Sequence, residues 1–277
     1  MRPLDLADLP AHSAWARYLL DPAGDPPTDP TAYTSVETYD DLYGHILEEY
    51  RTGGVAPEEL ASRIYARGRA DPGAVSVGGD LFLASPETLC DRDAQAVRDA
   101  LRGVESTPDT VFDLGCGWGA ALDPIAEALP ETGVVGGESA ENGVALARAL
   151  FGGGRLSVEP FDFHGDWSLM EAVAGDSLVF TRGALTTLSD VEGVVDRFAA
   201  LARSGTVVGG VHLEQVDAHP ETTLGLLRRH YARVRGYDTS LLDALRTHED
   251  IAVQAVEYDV LGANPLHPLT AIRWIPA

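Results

Sequence analysis

The chain has 277 residues, 45% of them hydrophobic and 23% charged, enough for a well-buried α/β core and, at roughly 100–200 residues per domain, for one domain with an extension or for two. Its net charge is −23, from 43 Asp and Glu against 20 cations that are all Arg; such a chain repels nucleic acid and anionic lipid unless a basic patch gathers locally. No apolar run reaches the ~18 residues of a bilayer span, and two cysteines, Cys90 and Cys116, make neither a disulfide framework nor a zinc cluster.

The chain divides near residue 105. Residues 1–105 read as a helical extension. Leu9 to Leu20 is apolar at helical spacing, and 21–30 is a Pro/Asp-rich linker. Thr34 and Ser35 offer an N-cap for a helix to about Arg51, with Tyr39, Tyr43, Ile46 and Tyr50 spaced at three or four. Pro57 opens another helix. Val75 to Leu83 alternates weakly, as a short strand or an extended loop, and Pro86 to Val104 is helical again. The aromatic residues of this zone either pack its helices together or cap a substrate pocket, with Tyr39 and Tyr43 as the substrate-side candidates.

From Thr110 the pattern becomes strand–helix alternation, the mark of a parallel sheet. Strands are expected at 111–114, 133–137, 156–161, 177–181 and 206–213, with helices at 120–129, 140–151 and 191–202. A long helical zone covers about 220–247; its basic run, Arg228-Arg229-His230 with Arg233 and Arg235, is read as a solvated helix face. Ile251 to Val260 and Thr270 to Ile275 close the chain as two β segments, joined by the turn formers of 261–268 and expected to pair antiparallel. Residues 106–277 thus read as one α/β domain.

The first of these strands runs straight into Gly115-x-Gly117-x-Gly119. Glycines here allow a tight strand-to-helix turn and close approach of backbone to a ligand. Three acids give the turn its meaning. Asp113 stands just before it, where a carboxylate holds the turn or meets a cationic amino group. Glu138 ends the next strand, where it can accept both hydroxyls of a ribose, with Ser139 beside it. Asp162, at the third strand, can accept from an adenine amine while Phe163 packs on the ring. Pro124 falls in the helix behind the turn, so that helix either starts late, near Asp123, or is kinked.

Asp113-Leu114-Gly115-Cys116-Gly117-Trp118-Gly119, with Glu138 and Asp162, resembles the cofactor-binding signature of class I S-adenosylmethionine-dependent methyltransferases. The resemblance covers about residues 107–277. It implies a seven-stranded, mostly parallel Rossmann-like sheet with an antiparallel last strand. It also implies S-adenosylmethionine as cofactor, with Gly115, Cys116 and Gly117 at its methionine part, Glu138 and Ser139 at the ribose, and Asp162 and Phe163 at the adenine.

Methyl transfer needs chiefly in-line positioning, with a base for some oxygen or nitrogen acceptors. Candidates belong at the ends of the fourth and fifth strands. Thr181 would line the cofactor's methionine end, and Arg182 would meet an anionic substrate group or form a structural ion pair. His212 and Glu214 alternate onto one face and are the candidate base and its partner, unless His212 is a satisfied sheet-edge residue; His164 is a further candidate. Related enzymes that methylate the amines of adenine, cytosine or glutamine often carry Asn/Asp-Pro-Pro-Tyr where this chain has Thr181-Arg182-Gly183-Ala184, which argues against those substrates. The segments at 180–185 and 264–274 resemble small-molecule O-methyltransferases. A small-molecule acceptor is therefore expected, with no nucleic acid, no membrane, no metal, and a homo-oligomer left open. Two other readings stand. Gly115-x-Gly117-x-x-Ala120 with Glu138 satisfies a loose dinucleotide fingerprint, as in a nicotinamide-dependent oxidoreductase, and a methyltransferase-like module could bind without catalysing.

Two further expectations follow from charge and from the N-terminus. The first residues turn acidic after Arg2 rather than apolar, so no secretory signal is expected and the cytoplasm is the expected location. A dense acidic surface without Lys resembles proteins of salt-loving organisms, where molar salt screens the self-repulsion.

Overall fold

The computed structural model describes residues 1–22, 24–30, 35–66, 71–104 and 107–277. Thr34 and the expected boundary between 105 and 106 lie outside the described residues. Among those described, ten strands form one mixed sheet. In chain order they are β1 (Arg2–Pro3), β2 (Gly73–Val77), β3 (Asp80–Ala84), β4 (Thr110–Leu114), β5 (Gly133–Glu138), β6 (Leu156–Pro160), β7 (Ser177–Arg182), β8 (Val207–Glu214), β9 (Ile251–Asn264) and β10 (His267–Pro276). Across the sheet the order is β1-β3-β2-β9-β10-β8-β7-β4-β5-β6.

The expected seven strands are the block from β6 to β9. Five neighbours, β6-β5-β4-β7-β8, run parallel, and β10 is antiparallel to both β8 and β9. The turn expected across 261–268 shrinks to the residues between Asn264 and His267, because both strands continue inward to the tip. Beyond β9 the sheet goes on. β2 pairs β9 through Ser76 and Gly262, β3 pairs β2, and β1 pairs β3, all antiparallel. The N-terminal zone is therefore not purely helical. Gly78 and Gly79, with φ of 61° and 90°, make the two-residue turn that joins β2 to β3.

Helices cover the sheet: α1 (Leu9–His12), α2 (Ala14–Leu20), α3 (Val36–Gly53), α4 (Pro57–Ala66), α5 (Pro86–Leu101), α6 (Leu122–Ala128), α7 (Glu141–Phe151), α8 (Ser168–Glu171), α9 (Val191–Arg203), α10 (Thr223–Arg235) and α11 (Leu241–Thr247). Their ends follow local chemistry. The Ser35 hydroxyl accepts from the Thr38 amide at the start of α3, and Gly54 closes that helix in the left-handed region. Ser85 caps α5, with Pro86 in its first turn. Pro124 is the third residue of α6, so it sits in a first turn that has no amide bond to lose and the late start holds.

Alternation along the strands feeds two cores. Phe112, Leu114, Val179, Ile272 and Trp274 pack with α9 and α11 on one face. Val111, Phe180, Val211 and Leu213 pack with α5, α6 and α7 on the other. A further cluster locks α3 and α4 onto α7 through Ile46, Leu47, Leu60 and Leu146. It is this contact that carries the N-terminal helices to the carboxyl ends of β4 and β5.

Candidate cofactor and acceptor site

A cavity of about 500 Å³ crosses the carboxyl ends of the parallel strands, at the place where strand order reverses between β4 and β7. One side is built by the glycine turn, the end of β5 and the end of β6. The other is built by the end of β7 and the tip of the β9–β10 hairpin, and α3 lies across the opening.

The turn is shaped by the company it keeps. Gly115, Gly117 and Gly119 all have positive φ (74°, 57° and 91°), and a Cβ at Gly117 would stand 2.6 Å from the Tyr43 hydroxyl. The amides of the turn are already engaged. Gly115 and Cys116 both donate to the Gly137 carbonyl, at 2.8 and 3.0 Å, and Gly119 donates to the Cys116 carbonyl. The Gly117 amide donates to Oε2 of Glu138 at 2.8 Å, while Oε1 of Glu138 accepts from the Ala140 amide at 2.8 Å and from the Ser139 hydroxyl. Glu138 therefore ties the turn to the start of α7 from the edge of the cavity.

Asp113 lies beneath this turn, 1% exposed, and neither carboxylate oxygen has a hydrogen-bond partner among the described residues. Burial pushes its carboxyl up to about 7; the Arg182 guanidinium pulls the other way, and the charges of Glu138 and Glu214 add to the rise. At the far end of the same side, Asp162 is exposed and folds one oxygen back onto the His164 amide, 2.9 Å away. Phe163 is buried edge-on against Phe161 and Trp167 but still lines the cavity. Tyr39 and Tyr43 of α3 stack at 6.0 Å and line the opening. Asp40, between them, fixes α3 to α7 by accepting from the Asn142 amide and side chain.

The catalytic pair does not meet this cavity. His212 is fully buried, with Nε2 accepting from the Trp274 indole at 2.8 Å and Nδ1 2.9 Å from the Thr181 hydroxyl. The indole can only donate, so the imidazole proton sits on Nδ1 and both nitrogens are satisfied. Its ring stacks between Phe198 and Trp274, and burial holds its pKa down at about 3. A histidine so placed is a core residue. Thr181, its partner, is equally buried and off the cavity wall. Glu214 is buried too, and its Oε1 accepts from the amides of Ala184 and Leu185 at 3.0 and 3.2 Å. Burial raises its carboxyl to about 7 against the pull of those bonds. It holds the shape of the wall at Gly183 and Ala184. Strand alternation did place His212 and Glu214 on one face, but that face is covered by α9.

Arg182 does line the cavity, in company that residue spacing did not reveal. Its Nε donates to Oδ1 of Asp93 at 3.1 Å, Nη2 is bonded to the same oxygen, and Nη2 lies 3.4 Å from the Tyr65 hydroxyl. Tyr65 donates in turn to Oδ2 of Asp93. The signal for Asp93 was present in the sequence: it falls in the apolar stripe of α5 with Leu89, Ala96, Val97 and Ala100, where an acid requires a buried partner. Asn264 and His267 were read as turn residues and line the cavity as well.

No family model and no curated protein matches the sequence. Among solved structures, the chain is similar to the plantazolicin methyltransferase BpumL in complex with a pentazolic desmethylPZN analog and SAH, with a TM-score of 0.50 and 11% identity over 87% of this chain and 98% of that one. It is similar also to the mitomycin 7-O-methyltransferase MmcR, with a TM-score of 0.50 and 15% identity over 91% of this chain and 74% of that one. The fold is that of the methyltransferases. Within the methyltransferase fold of this chain, the added hairpin β2–β3 and strand β1 extend the sheet edge beyond β9, away from the glycine turn.

Proposed function

We propose that the chain is an S-adenosylmethionine-dependent methyltransferase acting on a small molecule. The observation that carries this reading is the state of the glycine turn. A dinucleotide-binding turn offers free amides to a pyrophosphate, whereas here Gly115, Cys116, Gly117 and Gly119 all donate within the chain. A carboxylate with no hydrogen-bond partner among the described residues, Asp113, lies beneath them. That arrangement repels phosphate and suits a cation, the ammonium of a methionine. The nicotinamide reading has no such support.

The residues fit the cofactor along its length. Asp113, buried beneath the turn and off the cavity wall, would attract the ammonium from behind the turn, and Gly115 to Gly117 would run beside the methionine chain. Glu138, which keeps lone pairs on both oxygens, would take the ribose hydroxyls. Asp162 would accept from the adenine amine, with Phe163 against the ring. When bound, the cofactor supplies an electrophilic methyl group on a sulfonium. The chain's own part is to hold the two reactants in line, which alone is worth roughly 7–11 kcal/mol, and to exclude water with Tyr39 and Tyr43 of α3. A small acceptor fits because the cavity holds only about 500 Å³ and its opposite wall carries a single Arg among the described lining residues.

Calorimetry with S-adenosylmethionine, S-adenosylhomocysteine and NADH tests the reading. Binding of the first two and not the third is expected; binding of NADH alone would overturn it. In the same assay Glu138→Ala should weaken S-adenosylhomocysteine by about 1–3 kcal/mol, the cost of leaving the ribose hydroxyls without their acceptor.

A further inference from the structure

The half of the cavity away from the glycine turn is chemically one-sided. Its wall comes from Arg182 and Ala184 at the end of β7, and from Ala263, Asn264, His267 and Leu269 at the β9–β10 tip. The only acids among the described lining residues, Glu138 and Asp162, stand on the β5 and β6 side. A chain with 43 acids against 20 Arg thus leaves this wall free of carboxylate and sets a guanidinium in it.

That guanidinium is pre-aimed. Asp93 takes Nε and Nη2, and Tyr65, which donates to the other oxygen of Asp93, lies against Nη2. Nη1 makes no hydrogen bond among the described residues, and the side chain keeps 22% of its surface. Neighbouring polar groups do not compete for a ligand's charge. The Asn264 side chain donates from its amide nitrogen to the Tyr231 hydroxyl and accepts at Oδ1 from the Leu266 amide. His267 is held down at about 3 by burial first, then by Arg235 and His219, so it is neutral and a poor proton acceptor. His212 and Glu214 are sealed off beneath. Among its described residues this wall therefore offers a fixed cation and no free base; His164, the cavity's other histidine, stands on the Asp162 side.

Resting on the methyltransferase reading above, we infer that the methyl acceptor is an oxyanion, a carboxylate or an acidic hydroxyl that ionises in water before binding, and that Arg182 seats it through Nη1. Such an acceptor needs no base. A lone pair of its oxygen forms the new C–O bond as the methyl–sulfur bond breaks, that bond's electrons pass to sulfur, and the anion's charge cancels the sulfonium's, with no proton transferred. A charge-assisted hydrogen bond of this kind outweighs a neutral one about twofold. Asp93 and Tyr65 are positioning residues: they hold the rest of the guanidinium so that Nη1 is the donor left for a ligand.

The test compares benzoate with benzamide, which share a shape and differ in charge, by calorimetry on protein loaded with S-adenosylhomocysteine at low salt. Benzoate should bind about tenfold tighter, the scale of one charge-assisted bond. The preference should vanish in the double variant Asp93→Asn/Arg182→Gln, which removes the Arg182–Asp93 pair whole; because Arg182 also lowers the Asp113 carboxyl, the comparison is made well above pH 7, where that variant should still bind S-adenosylhomocysteine with wild-type affinity. Equal or tighter binding of benzamide, failure of both probes, or a preference that survives in the double variant would overturn the inference. So would loss of S-adenosylhomocysteine affinity in that variant, which would put the guanidinium on the cofactor's own carboxylate. Failure of the wild-type chain to take up S-adenosylhomocysteine is a different result: it appears before any acceptor is added and counts against the cofactor reading itself.

Discussion

A carboxylate buried without a partner is costly, and Asp113 is one, beneath the turn that every cofactor reading depends on. Its carboxyl stands at about 7, so the free protein carries it half protonated at neutral pH. An ammonium bound against it favours the ionised form, and below pH 7 binding must then expel the proton. The sign follows: affinity for S-adenosylhomocysteine rises with pH up to about 7 and levels off above it, by up to tenfold, or about 1.4 kcal/mol, per pH unit on the acid side. Titration calorimetry in buffers of different ionisation enthalpy should register proton release at pH 6, and Asp113→Asn should abolish both the release and the slope. A flat profile in the wild type would remove Asp113 from the ammonium. At this scale the sequence was most informative where backbone and side chain are neighbours along the chain, as in the glycine turn with Asp113 just before it. It was least informative where partners come from distant elements. Nothing local distinguishes His212 as a core residue, because its burial is set by Phe198 and Trp274. Nothing near Arg182 names Asp93 or Tyr65 as its partners.

At the scale of elements, the strand–helix alternation after Thr110 was legible because the central strands β4, β7 and β8 are buried on both faces and each long helix has one apolar stripe. The hairpin β2–β3 was only half legible. Gly78-Gly79 between alternating Val75, Val77, Leu81 and Leu83 is a hairpin signal, but its pairing partner, β9, lies almost two hundred residues away. What fixes that pairing is a buried polar knot. Asp259, 5% exposed and at φ 51°, accepts from the Ser76 hydroxyl at 2.7 Å, the Gly79 amide at 2.8 Å and Nη2 of Arg228 at 2.8 Å. Arg228 also donates to the Pro265 carbonyl. This residue opens the basic run that was read as a solvated face; it is 3% exposed. One carboxylate therefore joins the hairpin, the β9–β10 tip and α10. Removing it leaves Arg228 buried and uncompensated, so Asp259→Ala should cost about 3–5 kcal/mol, on the order of 10 °C in Tm for a chain of this size. The double replacement Arg228→Met/Asp259→Leu should recover most of that. A loss below about 1 kcal/mol for the single variant in urea unfolding would show that the knot does not hold the extension.

At the scale of the whole molecule, 43 acids face 20 Arg, and several Arg are withdrawn from the surface balance. Arg228 and Arg235 are buried, and Arg182 is turned onto Asp93. Five acids, Asp93, Asp113, Glu138, Glu214 and Asp259, are buried as well, so the exposed shell keeps most of the net charge of −23 and no more than that. At 0.1 M salt the Debye length is about 10 Å and the acids repel one another across the surface; at 1 M it is about 3 Å and they do not. Surface ion pairs such as Arg63–Glu49, Arg98–Glu127 and Arg148–Glu159 are screened as well, but each is worth at most about 1 kcal/mol. The buried pairs Arg182–Asp93 and Arg228–Asp259 are screened far less. Relief of repulsion should win, so Tm is expected to rise between 0.1 and 1 M NaCl, by roughly 2–4 °C for each kcal/mol gained. Chloride is the right salt, because sulfate would strengthen apolar burial on its own account and raise Tm for a different reason. A Tm that stays level or falls in molar NaCl would mean that the ion pairs outweigh the repulsion, and would end the argument for a chain adapted to high salt.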